Sequence, residues 1–459
     1  MKITLDINAE KHFNEKVLDF LYELKPDKTQ KQESKGKESS TSHVFISEHF
    51  TDRDIIKVTS VGYVDRLSGR QIARYFIVDN MPIGLDQKSY AEFDRFIDKL
   101  YQKKEINSLL SKSFIHDCAF KWFENKYTGT LQEGLDLISF LKGKGEESIK
   151  KYKISLPISF LSIEKPFNVG KVLFDYFKKD FCDKYINNVR LKANEQNKFD
   201  ENKFKIFETN FRKKYQGTVF ASIIVEAEQQ RCVEIAKVQI EKALTVLRFF
   251  SPSAFVPEMP CYFGIMGQTD IPKSHYFIFE NEDDIPLVQE TIDERRMHAW
   301  TISAHDFLEI YKMGLGLASE LIFKEEPTNF EDSILNSMYL LGRSFISREF
   351  QDKIVYALVS IETLLLQNET EPIQSNVGLK LAFLTESEPQ KRKHVKEIIN
   401  KAYKFRSSYI HHGKINEDWE LLKDLQYIIW AAISNALFSV NRFKTLKEFF
   451  DFIDNMILS

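Results

Sequence analysis

The residues of this chain best suited to chemistry lie close together in Tyr403–Gly413, which reads Y-K-F-R-S-S-Y-I-H-H-G. At about 100° per residue, Val395, Ile398, Ile399, Ala402, Phe405 and Tyr409 share one face of a helix. Arg406 falls about 20° from Val395, in the middle of that apolar stripe. An unpaired charge there is costly, so Arg406 needs a carboxylate, a second subunit or a ligand. A carboxylate is on offer upstream. Ile354, Leu358, Ile361 and Leu365 form another apolar stripe, and Glu362 is embedded in it as the single acid of Lys353–Gln367. Gly413 is a natural helix stop. His411 and His412 therefore fall in or just past the last turn, where His411 can leave the strict helical direction and approach Arg406. A guanidinium matches two phosphate oxygens and keeps its charge. An imidazole exchanges protons near neutrality. Together they suit work on a phosphodiester.

The surroundings favour the same ligand class. Between Gln390 and Lys414 stand eight Lys or Arg, among them Lys401, Lys404 and Lys414, against one acid, Glu397. That is a net of +7 within a chain whose total is −3, and such a focus attracts phosphate backbones. A solvated basic helix face is the plain alternative. An Arg followed by a His within four to six residues arises about once by chance in a chain with 10 His. The context, not the spacing, carries the reading.

Three stretches, Ala357–Leu366 (A-L-V-S-I-E-T-L-L-L), Gly378–Leu384 (G-L-K-L-A-F-L) and Tyr403–Gly413, resemble the Apea-like HEPN family. The resemblance covers residues from about 300 to 441, roughly a third of the chain, and its last motif is the specific part. The family signature falls on Tyr403, Arg406, Ser407, His411 and Gly413. His412 is a second histidine beside the expected one, so the catalytic choice between His411 and His412 stays open, with His411 favoured. The resemblance implies a helical bundle that forms a homodimer or higher homo-oligomer, with two Arg/His sets facing one another. It implies a metal-independent RNA endonuclease of toxin–antitoxin or anti-phage defence, with no cofactor and with a phage-derived trigger or inhibitory partner. Some members are non-catalytic, so a nucleotide- or RNA-binding and dimerisation module is the alternative. A structural interaction protein with a partner on the Phe-rich N-terminal half is a third reading. On the ribonuclease reading Arg406 and His411 or His412 are catalytic, Glu362, Ser407 and Tyr403 support them, and Lys401, Lys404 and Lys414 hold RNA.

The elements that must position these residues read as α+β: a mixed β/α N-terminal half followed by an all-α C-terminal helical bundle. The expected divisions are 1–218, a connecting strand–helix region at 219–300, and a helical domain at 301–459. Helices are expected at Ala304–Phe323, Phe330–Ser347, Gln351–Leu366, Val377–Leu384, Arg392–Ile410, Trp419–Asn441 and Leu446–Ile457. Strands are expected at Ile3–Ile7, Ile55–Val64, Ile72–Val78, Tyr152–Ile163, Val219–Val225 and within Cys261–Phe279. Helices are expected at Tyr90–Tyr101, Val172–Tyr185 and Glu226–Phe250. Asp27–His43 has no apolar residue to offset ordering and reads as a disordered loop, and the acidic run Glu280–Glu294 reads as a solvated boundary loop.

Length, at 459 residues, allows two or three domains. Cys118, Cys182, Cys232 and Cys261 lie far apart without a C-x-x-C, which fits a reducing compartment and argues against a zinc ribbon. The absence of a signal-like N-terminus and of a long apolar run leads to a cytoplasmic expectation without membrane contact. No P-loop, dinucleotide or H-E-x-x-H pattern occurs. Gly314 and Gly316 read as close helix packing, His116–Cys118 as structural packing, and His298 and His305 as a helix start.

Overall fold

The computed structural model describes residues 3–27, 60–65, 68–79, 81–195, 201–259, 261–268, 273–278, 287–292, 299–367, 373–412 and 417–458. It is mixed α+β, with a helical C-terminal half and sheet in the N-terminal half. Two compact units form, Met1–Ile154 with Ile224–Ala236, and Ser155–Ile223 with Lys237–Ser459. These divisions fall elsewhere than the boundaries expected at 218 and 300.

The first unit opens with α1 (Ile7–Tyr22). The strand expected at Ile3–Ile7 is not formed, because Asp6 caps the helix, its carboxylate accepting from the Asn8 and Ala9 amides. Phe13, Val17 and Phe20 then recur on one buried face. The strands β1 (Lys25–Pro26), β2 (Ser60–Val64), β3 (Gln71–Val78) and β4 (Met81–Leu85) make an antiparallel sheet in the order β1-β4-β3-β2. Its core is aromatic: Phe93 of α2 (Gln87–Tyr101) packs against Phe120 and Phe123 of α4 (Lys112–Tyr127). Between them lies the short α3 (Lys104–Asn107), and α5 (Leu137–Ser148) follows. His116 and Cys118 on α4 are buried, as structural packing requires. The expected loop at 28–43, and 55–59 of the expected strand Ile55–Val64, lie outside the described residues.

The expected strand Tyr152–Ile163 is two strands, β5 (Lys150–Ser159) and β6 (Leu161–Ile163). Phe160 between them sits at φ 60, a left-handed conformation that ends regular pairing. After the break β6 pairs in parallel with β13 (Trp300–Ile302). The expected helix Val172–Tyr185 is corrected as well. Gly170, at φ 57, turns β7 (Phe167–Val169) back into β8 (Val172–Tyr176), whose Val172 and Phe174 are buried in alternation. Helix begins only at α6 (Lys179–Glu195) and continues as α7 (Glu201–Tyr215). β9 (Val219–Ala227) and α8 (Gln229–Phe249) match expectation to within a few residues, and a 3₁₀ turn at Pro252–Ala254 breaks the chain. Strands β5, β7, β8 and β9 join β10 (Gly264–Ile265) in the order β10-β5-β9-β8-β7. β11 (Lys273–Ile278) and β12 (Leu287–Ile292) form a hairpin. The described part of the acidic run is thus strand rather than loop, and its remainder, like His298, lies outside the described residues.

From Ser303 the chain is helical. Ser303 and Asp306 form a capping box on α9 (Ala304–Ile310). A π-helical turn, Tyr311–Leu315, joins it to α10 (Gly316–Leu321), with Gly314 at φ 111. A Cβ on Gly314 would stand 3.0 Å from Leu437 Cδ2, so the glycine serves both the conformation and the close approach. Thr328 and Glu331 cap α11 (Asn329–Ile346), and α12 (Phe350–Leu365), α13 (Ile373–Thr385), α14 (Pro389–His412), α15 (Trp419–Phe438) and α16 (Leu446–Leu458) follow. α15 is the central rod. Leu422, Leu425, Ile429, Ile433 and Leu437 are each fully buried, at about 1.5–3 kcal/mol apiece. No helix among the described residues is long and apolar enough to cross a membrane.

A candidate phosphate site on the helix Pro389–His412

α14 is anchored along the stripe read from its sequence. Val395, Ile398, Ile399 and Ala402 are buried. A Cβ on Gly378 of α13 would lie 3.5 Å from Ile399, so the two helices approach closely there. Further along, Phe405 packs on Phe350 of α12 at 5.8 Å between ring centroids, and Phe350 packs on Trp419 of α15 at 5.2 Å. This aromatic brace fixes the rotation of α14 at the turn that carries Arg406.

Arg406 meets the partner expected for it. Its Nη1 donates to Glu362 Oε1 at 2.7 Å, and the Tyr403 hydroxyl donates to the same oxygen at 2.8 Å. Tyr403 and Arg406 are three residues apart on one helix face, the spacing at which both can reach one acceptor on a neighbouring helix. The Glu362 side chain is 14% exposed and that of Arg406 29%. A charge-assisted pair in so little solvent is held firmly. Burial first, and then the adjacent carboxylate, push the Tyr403 phenol well above its ordinary value, so it stays a protonated donor. Among the described residues the other Arg406 donors have no hydrogen-bond partner.

The helix persists through His412, so His411 keeps its helical direction, contrary to the freedom expected from Gly413. Five residues correspond to about 140° around the axis and about 7.5 Å along it. Arg406 and His411 of one copy therefore leave the helix in different directions. His411 instead shares a face, within about 60°, with Lys404 and Ser407, and all three are exposed. Lys401 is exposed beside them. Gly413 and Lys414 lie outside the described residues.

The basic surround is less uniform than its count suggests. Arg392 is committed to structure, lying over the Phe383 ring at 3.8 Å and donating to the Glu386 carbonyl. Lys391 pairs with Glu388 at 2.9 Å. Lys393, Lys396, Lys401 and Lys404 remain on the exposed face. No group of three or more His, Cys, Asp or Glu is arranged to hold a metal among the described residues.

The shared acceptor was not read from the sequence, where Tyr403 stood out only through its motif. The i, i+3 spacing of Tyr403 and Arg406 was the available signal. No family model, no curated protein and no solved structure matches this chain.

Proposed function

We propose that the chain is a metal-independent endoribonuclease of the HEPN type, acting in the cytoplasm in anti-phage defence or as a toxin. The observation that carries this reading is Arg406, anchored through one nitrogen to Glu362 on a helix whose adjacent exposed face presents Lys404, Ser407 and His411. RNA brings its own nucleophile, the 2′-hydroxyl. A site need only remove that proton, stabilise the phosphorane and protonate the leaving 5′-oxygen. His411, or His412, serves as acid or base. Arg406 balances the developing charge, Ser407 donates to phosphate, and Lys401 and Lys404 hold the backbone. The product is a 2′,3′-cyclic phosphate and a 5′-hydroxyl.

Because Arg406 and His411 diverge within one copy, the complete site takes one residue from each of two copies. Single-stranded RNA incubated with the full chain in chelator tests this. Arg406→Ala and His411→Ala each lower cleavage about 10²–10⁴-fold. Mixing the two variants restores roughly a quarter of the activity by random exchange of protomers in a two-fold dimer. Undiminished cleavage by both single variants overturns the reading. The non-catalytic module has one observation in its favour, since Glu362 already satisfies the charge of Arg406 as a structural pair would. On that alternative RNA is bound and never cut, and expression of the intact chain is no more toxic than that of Arg406→Ala.

A further inference from the structure

The exposed face of α14 is longer than the part that the cleavage chemistry uses. Seen down the axis, His411, Ser407, Lys404, Asn400, Lys396 and Lys393 fall within an arc of about 80°, and all six are exposed. Measured along the axis from His411, the other five stand at about 6, 10.5, 16.5, 22.5 and 27 Å, in steps of about 4.5–6 Å. One continuous helix carries them, so the line is straight and its spacing is fixed. The arc holds no acid. Glu397 lies just outside it, about 20° from Lys404.

Charge along this line is left uncompensated. Lys391 pairs with Glu388 and Arg392 lies on the Phe383 ring, but Lys393, Lys396 and Lys404 make no ion pair among the described residues. Lys393 and Lys396 stand at i, i+3, a spacing at which like charges meet and repel. An anion laid along the line relieves that repulsion. The middle position is a neutral donor with a set direction. Gln374 Nε2 of α13 donates to Asn400 Oδ1 at 2.8 Å, which turns the amide nitrogen of the exposed Asn400 away from Gln374. Cations and neutral donors in an even row match a chain that repeats one negative charge, and a polynucleotide backbone is such a chain. A small phosphorylated metabolite would engage one step of the row and leave the rest unused. The backbone of a duplex winds away from a straight line, whereas a flexible single strand follows it.

We infer that the outer face of α14 is a linear track for single-stranded RNA, on which the strand lies along Lys404, Asn400, Lys396 and Lys393 with its reacting phosphate at the His411 end. For a stacked strand at about 3.4 Å per nucleotide, a track of about 27 Å holds about eight nucleotides, and fewer when the strand is extended. The choice of RNA and the place of the reacting phosphate rest on the ribonuclease reading; the track itself does not use Arg406.

The test is fluorescence anisotropy on the full chain with labelled 2′-O-methyl RNA of about 3, 6, 9 and 12 nucleotides, within the range of site sizes that single strands occupy. These probes lack the attacking hydroxyl and stay whole. Affinity rises with length up to about eight nucleotides and then levels. Lys393→Gln with Lys396→Gln weakens binding of the longest probe about tenfold and lowers its salt slope by about 1.4, two phosphate contacts at roughly 0.7 each. Asn400→Asp, which keeps an oxygen for Gln374 and adds a negative charge to the line, also weakens it about tenfold. Unchanged thermal melting of these surface variants separates lost contacts from lost fold. Affinity already maximal for the shortest probe overturns the inference, as does unchanged affinity and salt slope in the folded lysine variant. Polyglutamate of matched length binding as tightly as RNA also overturns it, since that assigns the line to an acidic protein. Cleavage of the longest RNA in unmodified form, with chelator, is measured beside binding. Cleavage without the length and lysine responses sinks this inference alone. Both responses without cleavage sink the nuclease reading alone.

Discussion

Replacing Glu362 by Gln keeps the volume of the side chain and removes the charge that Arg406 and Tyr403 share. Both donors reach the same Oε1, at 2.7 and 2.8 Å. A hydrogen bond to a charged group contributes about 1.5–3 kcal/mol and a neutral one about 0.5–1.5 kcal/mol, so the change costs about 1–1.5 kcal/mol per bond. Arg406 keeps 29% exposure, and solvent screening reduces its share. The expected destabilisation is therefore about 1–2 kcal/mol. Tyr403→Phe, which removes one hydrogen bond to the charged carboxylate, should cost about 1.5–3 kcal/mol. The decisive measurement is a double-mutant cycle on the full chain, Glu362→Gln against Arg406→Met, read from urea midpoints. Contacting charges should couple by about 1–2 kcal/mol. Additivity within about 0.5 kcal/mol would mean that the two side chains do not hold one another, and the anchored-guanidinium argument would fail with them.

Gly314→Ala should destabilise the chain by about 1–3 kcal/mol in the same urea assay, because φ 111 is closed to residues with a Cβ. His116 should make stability depend on pH. Burial pulls its imidazole below the ordinary 6.5, Asp94 at 2.9 Å from Nε2 opposes this, and Lys112 and Arg74 reinforce it. As pH falls through 6.5 the unfolded chain takes the proton first, so stability drops by up to about 1.4 kcal/mol per unit until the folded imidazole also protonates. His116→Gln should lack that slope; the same slope in the variant would assign it to another group. Burial pushes the Cys118 thiol up to about 12, so disulfide-exchange reagents at pH 8 should modify it only on unfolding. Rapid labelling of Cys118 in the native chain would contradict its buried placement.

The helical half was legible because its period survives in the sequence. α12 and α14 each carry a stripe at 3.6-residue spacing, buried throughout in α12 and as far as Ala402 in α14. The misreadings fall where a local signal was outweighed by a distant one. Ile3–Ile7 alternates like a strand, yet one carboxylate at Asp6 supplies two amides and starts a helix instead. Val172–Tyr176 fits a helical wheel, yet β9 offers it a partner 43 residues downstream, Tyr176 pairing with Val219, and window reasoning cannot see such a partner.

The candidate site divides along the same line. Arg406 and Glu362 were conspicuous singly, as charges on apolar stripes, and mutual satisfaction was the natural inference for two such misfits among neighbouring helices. The direction of His411 was not conspicuous, because a glycine after a helix marks where it ends without saying how late the last turn holds. With α14 helical through His412, one helix carries two separate functions. Its buried stripe and the Phe350–Phe405 contact fix the angle at which Arg406 meets Glu362. Its outer face sets Lys404, Ser407 and His411 in a row toward solvent. A rigid helix cannot turn those two faces toward each other, and for that reason the proposed chemistry, which needs the guanidinium and the imidazole on one phosphate, calls on the outer face of another copy.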